Sequence, residues 1–414
     1  MRRFVLVMLL VFCSSMIHAA APSSLDVLCG KYRVHDLLIT IVHRDGKLIF
    51  STPIYPGEIP LTRQSETIFR NDNVPVLNIP FQIEFKKDEH GLIQSILFNY
   101  ENREYTANRM VMGNWQGAFE SGPYKDRVLN AKVIAYGQGK FHAAFIMDDK
   151  TRLEIPGEKN LGKTIFKGKT DLAKSYSIQA EVYDGKFMGT LKVDDAESKF
   201  TLRQVFLSSP TLGMKPPENA IVLLPNKKTL EAKHLLKFEW DIKPHWQLDD
   251  NGAIHISGSS ITTKRKFGNA RIHLEFQTPF MSNKRGQARG NSGVYIQQRY
   301  EVQVLDSFGL EVKDNLCGGI YKFAVPTADV CLPPLEWQTY DITFKAPRAD
   351  QNGNIIKAAV ITVEHNGTII HDNVVLDYGL QSKANLPLTG SILLQDHSMD
   401  RVSYRNMWVV PLDE

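Results

Sequence analysis

Apolar, β-branched and aromatic residues recur along this chain in runs of five to eight, broken by Gly, Asp and Asn. Leu37 to Val42 leads into Asp45-Gly46, and Ile79 to Phe85 into His90-Gly91. Ile361 to His365 is followed by Asn366-Gly367 and then by Thr368 to His371. Asn-Gly between two such runs is the preferred two-residue hairpin turn, because both positions need positive φ. Helical periodicity is scarce, so the pattern predicts an all-β chain.

The pattern changes only at the start. Arg2 and Arg3 precede an apolar run from Phe4 to Phe12 and then Ala19, Ala20 and Ala21. Charge, greasy core and small residues in that order read as a secretory signal peptide over residues 1–20. The run is too short for a bilayer, which needs about 20 residues, and no later run approaches that length, so the expectation is a secreted or periplasmic protein without a transmembrane segment. Cys13 as a lipid-attachment site is disfavoured by the bulky Phe12 before it.

With 414 residues the chain exceeds a single core, and two or three domains are expected. The net charge of +4 is spread without a basic block, which argues against a nucleic-acid partner. Cys317 and Cys331 bracket one short loop. In an exported protein the favoured reading is a disulfide, contributing roughly 3 kcal/mol if unstrained; the rival is a pair of free buried thiols. Cys29 has no evident partner, and the absence of a C-x-x-C pair argues against a zinc ribbon or thioredoxin-like site.

The punctuation divides the remainder. Residues 25–112 form a small β-barrel accessory unit running from Gly30-Lys31-Tyr32 to Tyr105-Thr106-Ala107-Asn108-Arg109. Its rhythm resembles the lipocalin-like barrel appended to some β-lactamase-type and peptidase-type proteins. Residues 113–206 form a second β unit, in which Gly137 and Gly139 read as turn glycines because no Gly-Lys-Ser/Thr follows. Residues 207–218, rich in Pro and Ser, read as a stiff connector, and residues 219–414 as the last domain. These positions leave the two leading units free to bind a polysaccharide or a protein.

That last domain carries five collinear blocks: Gln287-Ala288-Arg289-Gly290-Asn291-Ser292-Gly293-Val294-Tyr295; Arg299-Tyr300-Glu301-Val302-Gln303-Val304-Leu305-Asp306-Ser307; Cys317-Gly318-Gly319-Ile320-Tyr321; Pro333-Pro334 with Trp337-Gln338-Thr339-Tyr340-Asp341-Ile342; and Leu394-Gln395-Asp396-His397 with Arg405-Asn406-Met407-Trp408. In this order they resemble the 3-keto-disaccharide hydrolase family, also described as 3-keto-glucoside lyase/hydratase. The resemblance implies a concanavalin A-like jelly-roll sandwich and action on glycosides whose sugar carries a ketone at its third carbon. Such a ketone acidifies the proton on the second carbon. A base removes it, the enediolate expels the anomeric oxygen, and water adds back, giving net hydrolysis. A positioned base, groups for the enediolate oxygen and hydroxyl partners are needed.

Strand alternation agrees with a groove-lining strand. It places Glu301, Gln303 and Leu305 on one face, Val302 and Val304 on the other, and Gln395 with His397 opposite Leu394. Glu301 or His397 is the candidate base and Asp306 a second acid/base or orienting carboxylate. Arg299 and Arg405 are candidates for the oxyanion, and Asn291, Gln303 and Gln395 for sugar hydroxyls. The bland readings stand beside these: Asp306 as a turn initiator, His397 as an edge histidine, Arg405 as structural and Trp337 as core. Laminarinase-type sandwiches carry Glu-x-Asp-x-x-Glu. Here the pattern is Glu301, Gln303, Asp306, which disfavours a retaining two-carboxylate glycosidase. That reading and a non-catalytic carbohydrate-binding sandwich are the alternatives. No cofactor is assigned; Asp396, His397 and Asp400 leave a divalent metal open.

Overall fold

The computed structural model describes residues 25–52, 55–72, 81–100, 103–147, 151–226, 236–241, 247–249, 252–255, 258–377, 386–397 and 400–413. The expected signal peptide and Cys13 lie outside these residues. The fold is all-β, with two closed barrels followed by a two-sheet sandwich.

The first barrel closes eight strands between Gly30 and Arg109, the first pairing with the last through Tyr32↔Arg109. Its alternating positions turn Tyr32, Phe50, Phe69, Phe81, Phe85 and Phe98 inward into one cluster. The second barrel spans Gly113 to Val205 and closes through Phe200↔Phe119. Trp115, Phe119, Phe145, Phe166, Phe187 and Phe200 fill it. Ring upon ring at these centres gives each barrel a packed core of its own.

In the sandwich, the large sheet orders Gln247–Leu248, Ile254–His255, Ser403–Pro411, Ala270–Gln277, Gln338–Lys345, Ala359–His365 and Thr368–Leu376, with Ile221–Leu224 beside Ser403–Pro411. The small sheet orders Trp240–Asp241, Ile261–Thr263, Leu393–Leu394, Ser292–Ile296 and Tyr300–Val304. Both put their apolar positions inward: Val294, Val302 and Val304 from one sheet meet Ile272, Ile342 and Phe344 from the other. The opposite faces are therefore where polar chemistry can sit.

The connector is docked through residues 209–214. Ser209 Oγ lies 2.6 Å from Thr339 Oγ1, Thr211 Oγ1 donates to Asp341 Oδ2 at 2.8 Å, and Gly213 N donates to Glu275 Oε1 at 2.6 Å. It thereby covers the outer face of the large sheet, where His273, Glu275 and Thr339 are buried.

The expected disulfide requires correction. Cys317 and Cys331 are free buried thiols. The loop does bring them together, and they hydrogen-bond to each other, with Tyr340 Oη 3.4 Å from Cys317 Sγ. Contact with Cys317 and burial push the Cys331 thiol up. Mutual hydrogen bonding and apolar packing satisfy the pair without a bridge.

Candidate active site

Glu301 sits in Tyr300–Val304 opposite Tyr295 of Ser292–Ile296. Because Val302 and Val304 take the inward positions, Glu301 and Gln303 face outward from the small sheet with Tyr295. The Tyr295 hydroxyl bonds to the Glu301 carboxylate, and Gln395 Nε2 donates to the same hydroxyl at 3.2 Å. In one amide orientation Gln303 Nε2 donates to Gln287 Oε1 at 3.1 Å and to Asn291 Oδ1 at 3.3 Å; turned over, the amide donates instead to Glu301 Oε1 at 2.9 Å and to the Ser292 carbonyl at 3.1 Å. Beneath the carboxylate is Gly293: a β-carbon there would overlap Glu301 Oε1 and stand 3.0 Å from its Cδ.

Glu301 is 6% exposed. Burial raises its pKa to about 6 against the opposing pull of the Tyr295 bond. Desolvation disfavours the charged form, whereas the hydrogen bond favours it. A carboxylate so tuned is available as a base near neutral pH and is stronger than an ordinary surface glutamate.

The other candidates fall into two groups. Asn291, Gln303 and Gln395 converge with Glu301, as just described. His397 stands nearby but beyond the strand, with Nδ1 3.9 Å from Asp400 Oδ2. Asp400 in turn accepts the Asn291 N–H at 2.9 Å.

Asp306 belongs elsewhere: it is 4% exposed, with Oδ2 2.6 Å from Arg289 Nε, and burial pushes its pKa up against the pull of Arg289. The strand ends at Val304, so its alternation no longer governs Asp306. Leu305, expected on the face of Glu301, instead joins the core. Arg299 lies at the Gln297-Gln298 hairpin turn and donates to Gln297 Oε1 at 3.0 Å. Arg405 is on the large sheet, where it pairs with Glu275 at 2.7 Å and stacks on the Trp337 ring at 3.9 Å. The sandwich core separates it from Glu301. Among the described residues no three His, Cys, Asp or Glu side chains group as a metal site, so Asp396, His397 and Asp400 do not form one.

Residues 220–410 match the family model described as the 3-keto-alpha-glucoside-1,2-lyase-like domain. The C-terminal half belongs to this family. No curated protein sequence matches the chain. Among solved structures it is similar to a candidate glycosyl hydrolase of Parabacteroides distasonis, at 31% identity over 47% of this chain and 85% of that one, with a TM-score of 0.41. A second candidate glycosyl hydrolase of that organism aligns at 21% identity over 45% of this chain and 99% of the other, TM-score 0.31. The GH43 protein BlXynB of Bacillus licheniformis aligns at 8% identity over 93% and 99%, TM-score 0.27.

In the lyase-like domain, which is of a carbohydrate-active family, two groups escaped the sequence reading. Tyr295 bonds the base directly, and its position directly across from Glu301 is a register fact that only hairpin pairing supplies. Tyr321, whose N–H donates to the Glu301 carbonyl at 3.0 Å, comes from a loop that runs beside Tyr300–Val304 through the bridge Val302↔Ile320. That bridge turns Ile320 into the core and leaves Tyr321 on the side of Glu301. The available hint was Gly293 two residues before Tyr295: a glycine inside a strand marks a place where something approaches closely.

Proposed function

We propose that the lyase-like domain cleaves glycosides bearing a ketone at the third carbon, by elimination followed by hydration. Glu301 takes the proton from the second carbon. The electron pair passes into the ketone to give an enediolate, then returns to expel the anomeric oxygen, which takes up the proton that Glu301 removed and leaves as an alcohol. Water adds across the resulting double bond, so the sum is hydrolysis. Tyr295, Gln395, Gln303 and Asn291 supply hydrogen bonds for the enediolate and the neighbouring hydroxyls. Such groups act most strongly where water is excluded.

The single observation that carries this reading is the environment of Glu301: a nearly buried carboxyl, raised to about 6, held by Tyr295 and floored by Gly293. A retaining two-carboxylate mechanism needs a partner about 5 Å away, whereas Asp306 is committed to Arg289. The charge and apolar pattern of residues 1–20 supports export, so the substrate would be met in the periplasm or outside the cell.

Product analysis tests the proposal. Purified protein should consume a 3-keto-glucoside, release its aglycone and leave the unoxidised glycoside intact. Cleavage of the unoxidised sugar, or binding without turnover of either, would defeat it.

A further inference from the structure

Both barrels reach the same short stretch of the sandwich. After Ala270–Gln277 leaves the large sheet, the chain crosses from Thr278 to Asn291 before entering the small sheet at Ser292. The first barrel places the Arg33 guanidinium over the Phe280 ring at 4.2 Å. The second barrel holds the middle: Arg285 lies over the Tyr136 ring at 3.8 Å, and its Nη2 donates to the Tyr136 carbonyl at 2.9 Å. The barrel's turn comes so close that a β-carbon at Gly137 would overlap Asn283. Gly137 has φ +76, so the turn needs glycine both for its backbone and for this approach. At the far end Arg289, 4% exposed, donates to the Ala135 carbonyl at 3.2 Å while binding Asp306.

The crossing carries the polar groups that hold the candidate base. Asn291 Nδ2 donates to the Gln287 carbonyl at 2.8 Å, Gln287 Nε2 to the Asn315 carbonyl at 2.7 Å, and both side chains flank Gln303 beside Glu301. The barrels' interiors are filled by their own aromatic clusters, so their contribution to the sandwich is made from their outer surfaces.

We infer that the two N-terminal barrels are positioning elements for the Glu301 site, clamping the Thr278–Asn291 crossing so that Gln287 and Asn291 hold the Gln303–Glu301 pair in place. The positioning role rests on the function proposed above, whereas the clamp itself does not. Loosening one end of the crossing lets its polar groups sample positions in which Gln303 no longer holds Glu301, which misplaces the base and lowers turnover.

The test uses the full chain carrying Tyr136→Ala, Arg285→Ala or Arg33→Ala, with Tyr136→Phe, which keeps the ring, as the rescue variant. Amide exchange across 281–291 should quicken by about tenfold in the alanine variants, with protection of Tyr300–Val304 kept. For a 3-keto-glucoside kcat should fall about tenfold with KM less affected, and Tyr136→Phe should match the parent. Unchanged exchange in all three alanine variants would overturn the clamp. Quickened exchange with unchanged kcat would overturn the positioning role. Should the parent protein not turn over the keto sugar, the functional reading fails separately, and the exchange data alone then decide the clamp.

Discussion

Gly293 lies directly beneath the carboxylate of Glu301, so close that any β-carbon at position 293 would overlap Oε1. The two occupy neighbouring strands, and the empty space above the glycine is what lets the carboxyl lie down beside Tyr295 and Gln303. Gly293→Ala is therefore expected to keep the fold, since residue 293 is in ordinary strand, but to push the carboxyl from its bonds. Misplacing a reacting group by about 1 Å costs on the order of a hundredfold in rate. A turnover assay with a circular dichroism control checks this, and full activity in the alanine variant would contradict the geometry.

The pH dependence follows from the raised pKa. A base must be ionised, so kcat/KM for a 3-keto-glucoside should rise with pH and level off above about 6, the value to which burial lifts Glu301. Glu301→Gln removes the base and should lower the rate by at least a hundredfold at every pH. A profile flat from pH 5 to 7 would place the base elsewhere.

The same shift has a thermodynamic consequence. A carboxyl whose folded pKa stands above its unfolded value binds its proton more tightly in the native state, so its ionisation destabilises the fold. That penalty is absent below the ordinary value of 4.5 and complete above about 6. Glu301→Gln should accordingly raise stability at pH 7 by up to about 2 kcal/mol, with the gain fading as the pH falls toward 4. Denaturant unfolding of both proteins at pH 4 and pH 7 measures it. A glutamine variant less stable than the parent at pH 7 would show the carboxylate to be structurally required.

Arg289 and Asp306 should behave as a buried pair. Arg289→Met leaves the Asp306 carboxylate uncompensated, and removing one partner of such a pair costs about 3–5 kcal/mol. The double variant Arg289→Met with Asp306→Leu should recover much of that loss. Equal loss from the single and double variants would mean that the two do not interact.

Cys317 and Cys331 are expected to resist a thiol reagent in the native protein, because both are buried and Cys331 is held up by its bond to Cys317. Both should label after unfolding in denaturant without reductant. Labelling that requires reductant would reveal a bridge.

Strand periodicity was legible because a strand's side chains alternate whatever the fold does around them. Val302 and Val304 against Glu301 and Gln303 already announced one buried and one polar face. The alternation failed where the strand stopped: Leu305 went to the core and Asp306 to Arg289. Arg405 illustrates a different limit. It sits in a strand that reads much like the others, and only sheet order puts it against Glu275 and Trp337, across the core from Glu301.

What the amino-acid sequence determined by itself is local: an all-β chain, the turns, the two-faced strand around Glu301 and the family blocks of the C-terminal half. Tertiary structure alone decided which residues share a site. It set Tyr295 across from Glu301, folded the connector over the large sheet, left the two thiols side by side and brought both barrels onto the Thr278–Asn291 crossing. The reason is that a strand's own pattern specifies which way its side chains point, while their neighbours are chosen by hydrogen-bonded register and sheet order between segments far apart in the chain.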